Sequence, residues 1–340
     1  MEKSFPNNML RILITLLLLG GMSFGATKKS SKSSKSSKTS ASKTAHKKSP
    51  PKTTTKKPVV KKAETPLPPL APLAPGELPL AARSALCLDL KTGKVLYEKE
   101  ADEMEYPASA TKILTALLVI EAGDLDRLVE VQIEDTKVEP SALEFKPGES
   151  YARRDLLYAL LLKSANDVAL ALARDNAGSV EAFAEKMNKR AEGLGASSSH
   201  FVNPHGLHDP HHFTTARDLA AIARAAMQDE TFREIVSTLE KRMMRGEEEV
   251  LLRNHNKLLG KLPGCTGIKT GFTRHAQQVL VSGAMCEGCE VISVVLHTNK
   301  PGIWEDSKML LTDGLEKLKT PGDTNAVPAE TKSASGANSK

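Results

Sequence analysis

The chain has 340 residues, 40% hydrophobic and 4% aromatic, with four cysteines and a formal net charge of +6. That length and apolar content exclude a disulfide-stapled miniature protein and leave room for one sizeable core. The charge is unevenly placed: residues 1–26 hold +1 and residues 27–62 hold +13, so residues 63–340 sum to −8 and the folded part gives no charge argument for nucleic-acid binding.

Lys3 and Arg11 precede the apolar run from Ile12 to Leu19, and the small residues Gly20, Gly21, Ser23 and Gly25 follow it. That order predicts a secretory signal peptide over residues 1–25, cleaved after Gly25, and export to the periplasm or the wall side of the cytoplasmic membrane. The alternative is an uncleaved N-terminal anchor, although the run is short for a spanning helix. Residues 26–79 form a stalk without the apolar periodicity that folding needs. Its first piece is Lys, Ser, Thr and Pro with thirteen lysines and no acidic residue, and its second is Pro-Leu-Pro-Pro-Leu-Ala-Pro-type sequence. We expect a flexible basic tether followed by a stiffer spacer. Behind an export signal such a tail meets anionic wall polymers or a membrane surface by non-specific charge attraction, or acts as a solvated spacer. No nucleic-acid partner is expected.

The folded part is expected over residues 80–319. Residues 85–90, the turn Lys91-Thr92-Gly93-Lys94 and residues 95–98 read as strand, tight turn and strand. The apolar run 113–120 reads as a helix opened at Ser109, with Pro107 favouring its start. Residues 138–149 are loop or short-strand material, and 155–162 form a helix buried nearly all round. Helices follow at 167–175, 180–194 and 214–227, with Thr214 as the cap of the last. Short β-like segments return at 250–252 and 267–269. Residues 279–285 and 291–296 make a hairpin about Cys286-Glu287-Gly288-Cys289, a helix at 304–318 closes the domain, and 320–340 are a disordered tail. Helices inserted between two strand groups indicate an α+β (α/β) fold, a mainly antiparallel sheet packed between helices.

Three short patterns carry chemistry. In Ser109-Ala110-Thr111-Lys112 the serine and lysine share a helix face, one turn apart, where backbone N–H groups are unpaired. Serine is a poor nucleophile until a base takes its proton, and a lysine amine serves once burial and positive surroundings lower its pKa. The spacing is cheap by itself: Ser40-Ala41-Ser42-Lys43 and Ser49-Pro50-Pro51-Lys52 match it too. Ser164-Ala165-Asn166 falls at a break between two helices, where a hydroxyl and a carboxamide can face a cleft or simply cap. In Lys269-Thr270-Gly271, on an expected strand, the lysine can meet a carboxylate, the threonine can assist, and the glycine admits a close backbone. Lys91-Thr92-Gly93 is a decoy in a turn.

Ser-x-x-Lys, Ser-x-Asn and Lys-Thr-Gly in this order, 55 and 105 residues apart, resemble the penicillin-recognising serine enzymes. Asn203-Pro204-His205-Gly206-Leu207, Phe213-Thr214-Thr215-Ala216-Arg217-Asp218-Leu219 and Gly267-Ile268-Lys269-Thr270-Gly271-Phe272-Thr273 extend the likeness to the low-molecular-mass D-alanyl-D-alanine carboxypeptidases, with their β-lactamase/transpeptidase-like fold. The resemblance implies catalytic Ser109, Lys112 and Ser164. Asn166, Lys269, Thr270, Gly271 and Phe272 would bind substrate, and the Ser109 and Phe272 N–H groups would form an oxyanion hole. It implies peptidoglycan stem peptides as substrate, β-lactams as acylating inhibitors, and no metal or organic cofactor.

Two departures bear on the cleft: Ala276-Gln277-Gln278-Val279 stands where the family commonly has Ala-Gly, and His297-Thr298-Asn299-Lys300 where an arginine is expected, with Lys300 a candidate substitute. A D,D-endopeptidase uses the same residues. A β-lactamase would need a Glu-x-x-Leu-Asn-like segment, which is not found after Asn166. A catalytically idle wall-binding protein is the non-enzymatic alternative. His205, His208, His211 and His212 invite a zinc reading, which the intervening Gly206, Asp209 and Pro210 argue against. The four cysteines are compatible with pairing or with free thiols.

Overall fold

The protein is described from a computed structural model, over residues 76–138 and 140–319. The expected signal peptide, nearly all of the stalk and the tail lie outside the described residues.

A five-stranded antiparallel sheet organises the chain. β1 (Ser84–Asp89) and β2 (Val95–Lys99) form the first hairpin, and β7 (Cys265–Thr273), β8 (Gln277–Cys286) and β9 (Cys289–Thr298) come from the far end of the sequence, in spatial order β2-β1-β9-β8-β7. The strands are apolar at both odd and even positions because both faces are covered. Leu86, Leu88, Val279, Val281, Ile292 and Val294 join one core cluster, and the alternating Ala85, Cys87, Leu280, Val291 and Val295 join a second. The second is closed by α7 (Gly302–Lys319) through Ile303, Leu310 and Leu311. The expected fold class and hairpin are observed. Cys286 faces Cys289 across a turn whose central residues, Glu287 and Gly288, both have positive φ, and all four cysteines are free thiols.

On the first face lie the helices inserted between the two strand groups. α1 (Lys112–Glu121) is the central one, packed against α3 (Asn166–Ala177), α4 (Val180–Gly193), α5 (Ala216–Ala226) and α6 (Glu230–Ser237). α2 (Arg153–Tyr158) runs on as a π-helical turn, Ala159–Lys163, and ends at Ser164 in the left-handed region (φ 63°, ψ 33°). Two small ribbons complete the fold: β3 (Leu128–Glu130) with β4 (Ser150–Ala152), and β5 (Glu240–Arg245) with β6 (Glu248–Arg253).

The cap of α5 differs from expectation by one residue. Thr215, not Thr214, accepts from Asp218 N, at 3.1 Å. Thr214 exchanges backbone hydrogen bonds with Glu105 instead, an isolated bridge that ties the start of α5 to the segment leading into Ser109.

Asp306 locks three distant pieces together. It is 3% exposed and accepts from Ala81 N (3.1 Å), Ala82 N (2.8 Å) and Thr298 Oγ1 (3.2 Å), joining α7 to the entry of β1 and the end of β9. Asp306→Ala leaves the buried Ala82 N–H and Thr298 hydroxyl without their acceptor, and we expect a loss of about 2–3 kcal/mol in urea unfolding. A loss below about 0.5 kcal/mol would show that the lock is dispensable.

Candidate active site

Ser109 lies in a 3-10 turn, Ala108–Thr111, immediately before α1, so the turn and not the helix proper presents the serine. The turn is clamped from two sides. Val202 N–H donates to His212 Nδ1 at 3.1 Å, so the ring proton sits on Nε2 and is donated to Thr111 Oγ1 (2.8 Å), which in turn donates to Ala108 O (2.8 Å). Burial holds the His212 pKa down at about 3, which keeps this chain of bonds in one protonation state. From the same loop Gly206, at φ +84°, sits so close that a Cβ there would lie 1.8 Å from Ala108 O. From the sheet side Gly271 packs on the turn, and a Cβ there would lie 2.9 Å from Ser109 N. The glycine of Lys-Thr-Gly therefore admits the protein's own serine turn, a closer constraint than the one expected from sequence.

Lys112 follows one turn later with its side chain fully buried. Its Nζ lies 2.7 Å from Asn166 Oδ1, 2.7 Å from His205 O and 3.1 Å from Ser109 Oγ. Two of these partners can only accept, because Asn166 Nδ2 is turned to Pro140 O (3.1 Å) and a carbonyl has no proton to give. A neutral amine has two N–H groups and one lone pair. With both N–H groups spoken for, the lone pair is left facing the Ser109 hydroxyl. Burial, reinforced by the charge of Lys269, pushes the Lys112 pKa well below the ordinary lysine value, while Asp167 opposes the shift. An amine so placed can act as a base toward the neighbouring hydroxyl.

Ser164 is 5% exposed and sits at the break between the π-helical turn and α3, with Asn166 the first residue of α3. On β7, Lys269 is 1% exposed and donates to Thr270 O at 2.9 Å, and Phe272 is 57% exposed at the rim. The structure thus brings Ser109, Lys112, Asn166 and Gly271 into direct apposition and places Lys269 close enough to act on the charge of Lys112. His205 Nδ1 accepts from Leu207 N (3.1 Å), and burial followed by the Lys112 charge lowers its pKa to about 3.

The four histidines named from sequence are dispersed in role, and His211 is exposed, its backbone N–H donating to Asp209 Oδ1 at 2.7 Å. His212 serves the serine turn, His205 gives its carbonyl to Lys112, and His208 stacks on His275 with ring centroids 3.6 Å apart beside Tyr106. At the expected arginine position, His297 lies between Arg83 Nη2 (3.1 Å) and the buried Glu105 (3.1 Å), while Lys300 is exposed. Gln277, the first residue of β8, takes φ 56°.

Burial alone lowers the Lys269 pKa from 10.5 to about 7. Below about pH 7 the group is charged both folded and unfolded, and the native state carries the full cost of burying that charge. Between about 7 and 10.5 the unfolded chain binds more protons, so this contribution to stability rises with pH. Lys269→Met should therefore raise Tm at about pH 6, with the gain shrinking toward zero by about pH 10. A gain independent of pH would assign the effect to packing instead.

The family model described as D-alanyl-D-alanine carboxypeptidase matches residues 71–300. The chain is 34% identical over 231 residues to the D-alanyl-D-alanine carboxypeptidase DacF of Bacillus subtilis, covering 66% of this chain and 59% of that protein, so it spans less than two thirds of that relative's length. It is 34% identical over 239 residues to DacB2 of Mycobacterium tuberculosis, covering 68% and 82% of the two chains. With a D-alanyl-D-alanine endopeptidase of Pseudomonas aeruginosa it shares 33% over 271 residues, 78% and 85%. Among solved structures, a D-alanyl-D-alanine carboxypeptidase from Mycobacterium tuberculosis superposes with a TM-score of 0.68 at 34% identity, covering 71% of this chain and 94% of that one. A mutant of a Streptomyces DD-transpeptidase gives 0.67 at 30%, covering 71% and 100%. Because that family model matches residues 71–300, well over half of the sequence, the chain belongs to the D-alanyl-D-alanine carboxypeptidase family.

Proposed function

We propose that the protein is a serine-type D-Ala-D-Ala carboxypeptidase that removes the terminal D-alanine of peptidoglycan stem pentapeptides through an acyl-enzyme. The observation that carries this reading is the Lys112 amine, whose two short bonds to acceptors leave its lone pair for the Ser109 hydroxyl. Lys112 takes the Oγ proton as Oγ attacks the carbonyl carbon between the two D-alanines. The oxyanion is held by the N–H groups of Ser109 and Phe272. As the tetrahedral intermediate collapses the C–N bond breaks, and the proton passes from Lys112 through Ser164 to the departing amine. Water then attacks the ester, returning the proton to Ser109 and releasing the shortened peptide.

Lys269 and Thr270 grip the terminal carboxylate, and Asn166 meets the peptide amide. A buried lysine whose pKa is depressed by burial regains its ammonium form when a carboxylate arrives beside it, so substrate supplies the counter-charge that the empty pocket withholds. β-Lactams acylate the same serine. D,D-endopeptidase activity on cross-links is the second reading, favoured by the Pseudomonas aeruginosa relative, with which the alignment is longer than with the two carboxypeptidases cited.

Family members of this kind act on peptidoglycan outside the cytoplasm, in keeping with residues 1–25 as an export signal, residues 26–79 as a basic stalk, residues 80–319 as the peptidase domain and residues 320–340 as a tail. Among the described residues no helix is long and apolar enough to cross a membrane. The stalk's lysines would hold the domain near anionic wall polymers or headgroups by charge alone.

Labelled penicillin should form a covalent adduct on Ser109 in the folded protein and none in Ser109→Ala. Lys112→Met should slow acylation by about 10²–10⁴-fold. Release of free D-alanine from a pentapeptide supports the carboxypeptidase, and release of monomers from cross-linked dimers supports the endopeptidase. Folded wild-type protein that takes no label would sink both.

A further inference from the structure

The Ser164-Ala165-Asn166 break does not stand by itself. Asn166 N–H donates to Ser141 O at 2.6 Å, and its Nδ2 donates to Pro140 O at 3.1 Å. The next residue, Asp167, is 1% exposed. Its carboxylate accepts from Leu143 N and Glu144 N, each at 2.9 Å, and from Val168 N at 2.8 Å. Two consecutive residues at the head of α3 thus hold both carbonyls and amides of residues 140–144. That segment turns through positive φ at Ser141 (80°) and Glu144 (63°), conformations that non-glycine residues keep only where the surroundings fix them. From outside, Arg245 at the end of β5 donates to Leu143 O at 2.8 Å, and the Leu143 side chain is fully buried.

The consequence reaches the base. The Asn166 carboxamide presents Oδ1 to Lys112 while its Nδ2 donates to Pro140 O, so the carbonyl of residue 140 helps set which way the amide faces. If residues 140–144 shift, that hold on the amide weakens, and the acceptor it offers Lys112 is displaced from its 2.7 Å bond.

We propose that Asp167 is a positioning residue for acylation: its buried carboxylate pins residues 143 and 144 to the head of α3, which pins Pro140 and Ser141 on Asn166 and so aims Lys112 at Ser109. This rests on the reading of Ser109 and Lys112 given under the proposed function. Asp167 also acts through its charge. The charged and titratable groups around Lys112 are Lys269 on β7, His205 and His212 in the loop before α5, and Asp167; burial and Lys269 favour the neutral amine, while Asp167 favours the ammonium. The Asp167 carboxyl is itself shifted up by burial and drawn back by its backbone N–H bonds.

Two variants test it, with the rate of Ser109 acylation by fluorescent penicillin followed against pH and folding checked by circular dichroism. Asp167→Asn removes the charge and puts a donor where backbone N–H groups need acceptors. Acylation should slow about 10–100-fold, the scale of a small misplacement of reacting groups. The acid limb should also move to lower pH, because Lys112 loses a charge that favoured its protonation. A purely structural role would slow the reaction without moving the limb. Arg245→Met loosens the same segment from its outer side, and it should slow acylation about threefold or more and leave the limb in place. Wild-type protein that takes no label defeats the underlying reading. Wild type that labels, alongside Asp167→Asn with unchanged rate and limb, overturns the inference alone. Should Asp167→Asn not fold, an unchanged rate in Arg245→Met overturns it.

Discussion

Lys112 brings a basic amine into a site without solvent exposure, and the surroundings of that amine explain much of the rest. A buried ammonium would need a close counter-charge, and its three near partners are a carboxamide oxygen, a carbonyl and a hydroxyl, all neutral. Neutral acceptors suit a neutral amine. The second buried lysine, Lys269, pushes in the same direction. The protein thus holds Lys112 in a form that water would not favour and buries Lys269 at a cost, and stability given up there is recovered in the two apolar cores on either face of the sheet.

The serine turn obeys the same logic of enclosure. Gly206 approaches from the loop before α5 and Gly271 from β7, and neither position has room for a Cβ. His212, Thr111 and Ala108 form a line of hydrogen bonds with a single sense of donation, because a backbone N–H fixes which ring nitrogen accepts. Three stretches far apart in the chain therefore meet at Ser109, and none can move without disturbing it. Precise placement of this kind suits a reaction whose rate depends on the approach of one oxygen to one carbonyl carbon.

What was legible in the sequence was local or periodic. Ser109 to Lys112 is one turn, and Lys269 to Gly271 is one stretch of strand, so their spacing survives without knowledge of the fold. Strands β8 and β9 were visible as apolar runs bounded by a Cys-Glu-Gly-Cys turn. The hidden parts depend on distance or on polar composition. β5, Glu-Lys-Arg-Met-Met-Arg, has no β-branched residue and is a strand because it pairs with β6. α6 has only eight residues, too few for periodicity to stand out. Thr214 looked like a cap because its neighbour Thr215 is one, and only the bridge to Glu105 separates them. The His212 to Thr111 bond spans 101 residues, and the grip of Asp167 on residues 143 and 144 spans 23 or 24, so no local pattern announces either.

The protonation state of Lys112 is the quantity on which the catalytic reading turns. NMR titration of the Lys112 Cε and Nζ signals in uninhibited protein, assigned by comparison with Lys112→Met, measures it without reference to substrate. A midpoint well below the ordinary lysine value of 10.5 is the expected result, with the amine neutral at the pH where Ser109 reacts. A midpoint at or above 10.5 would mean that Lys112 is an ammonium donating to Ser109, and could not be its base.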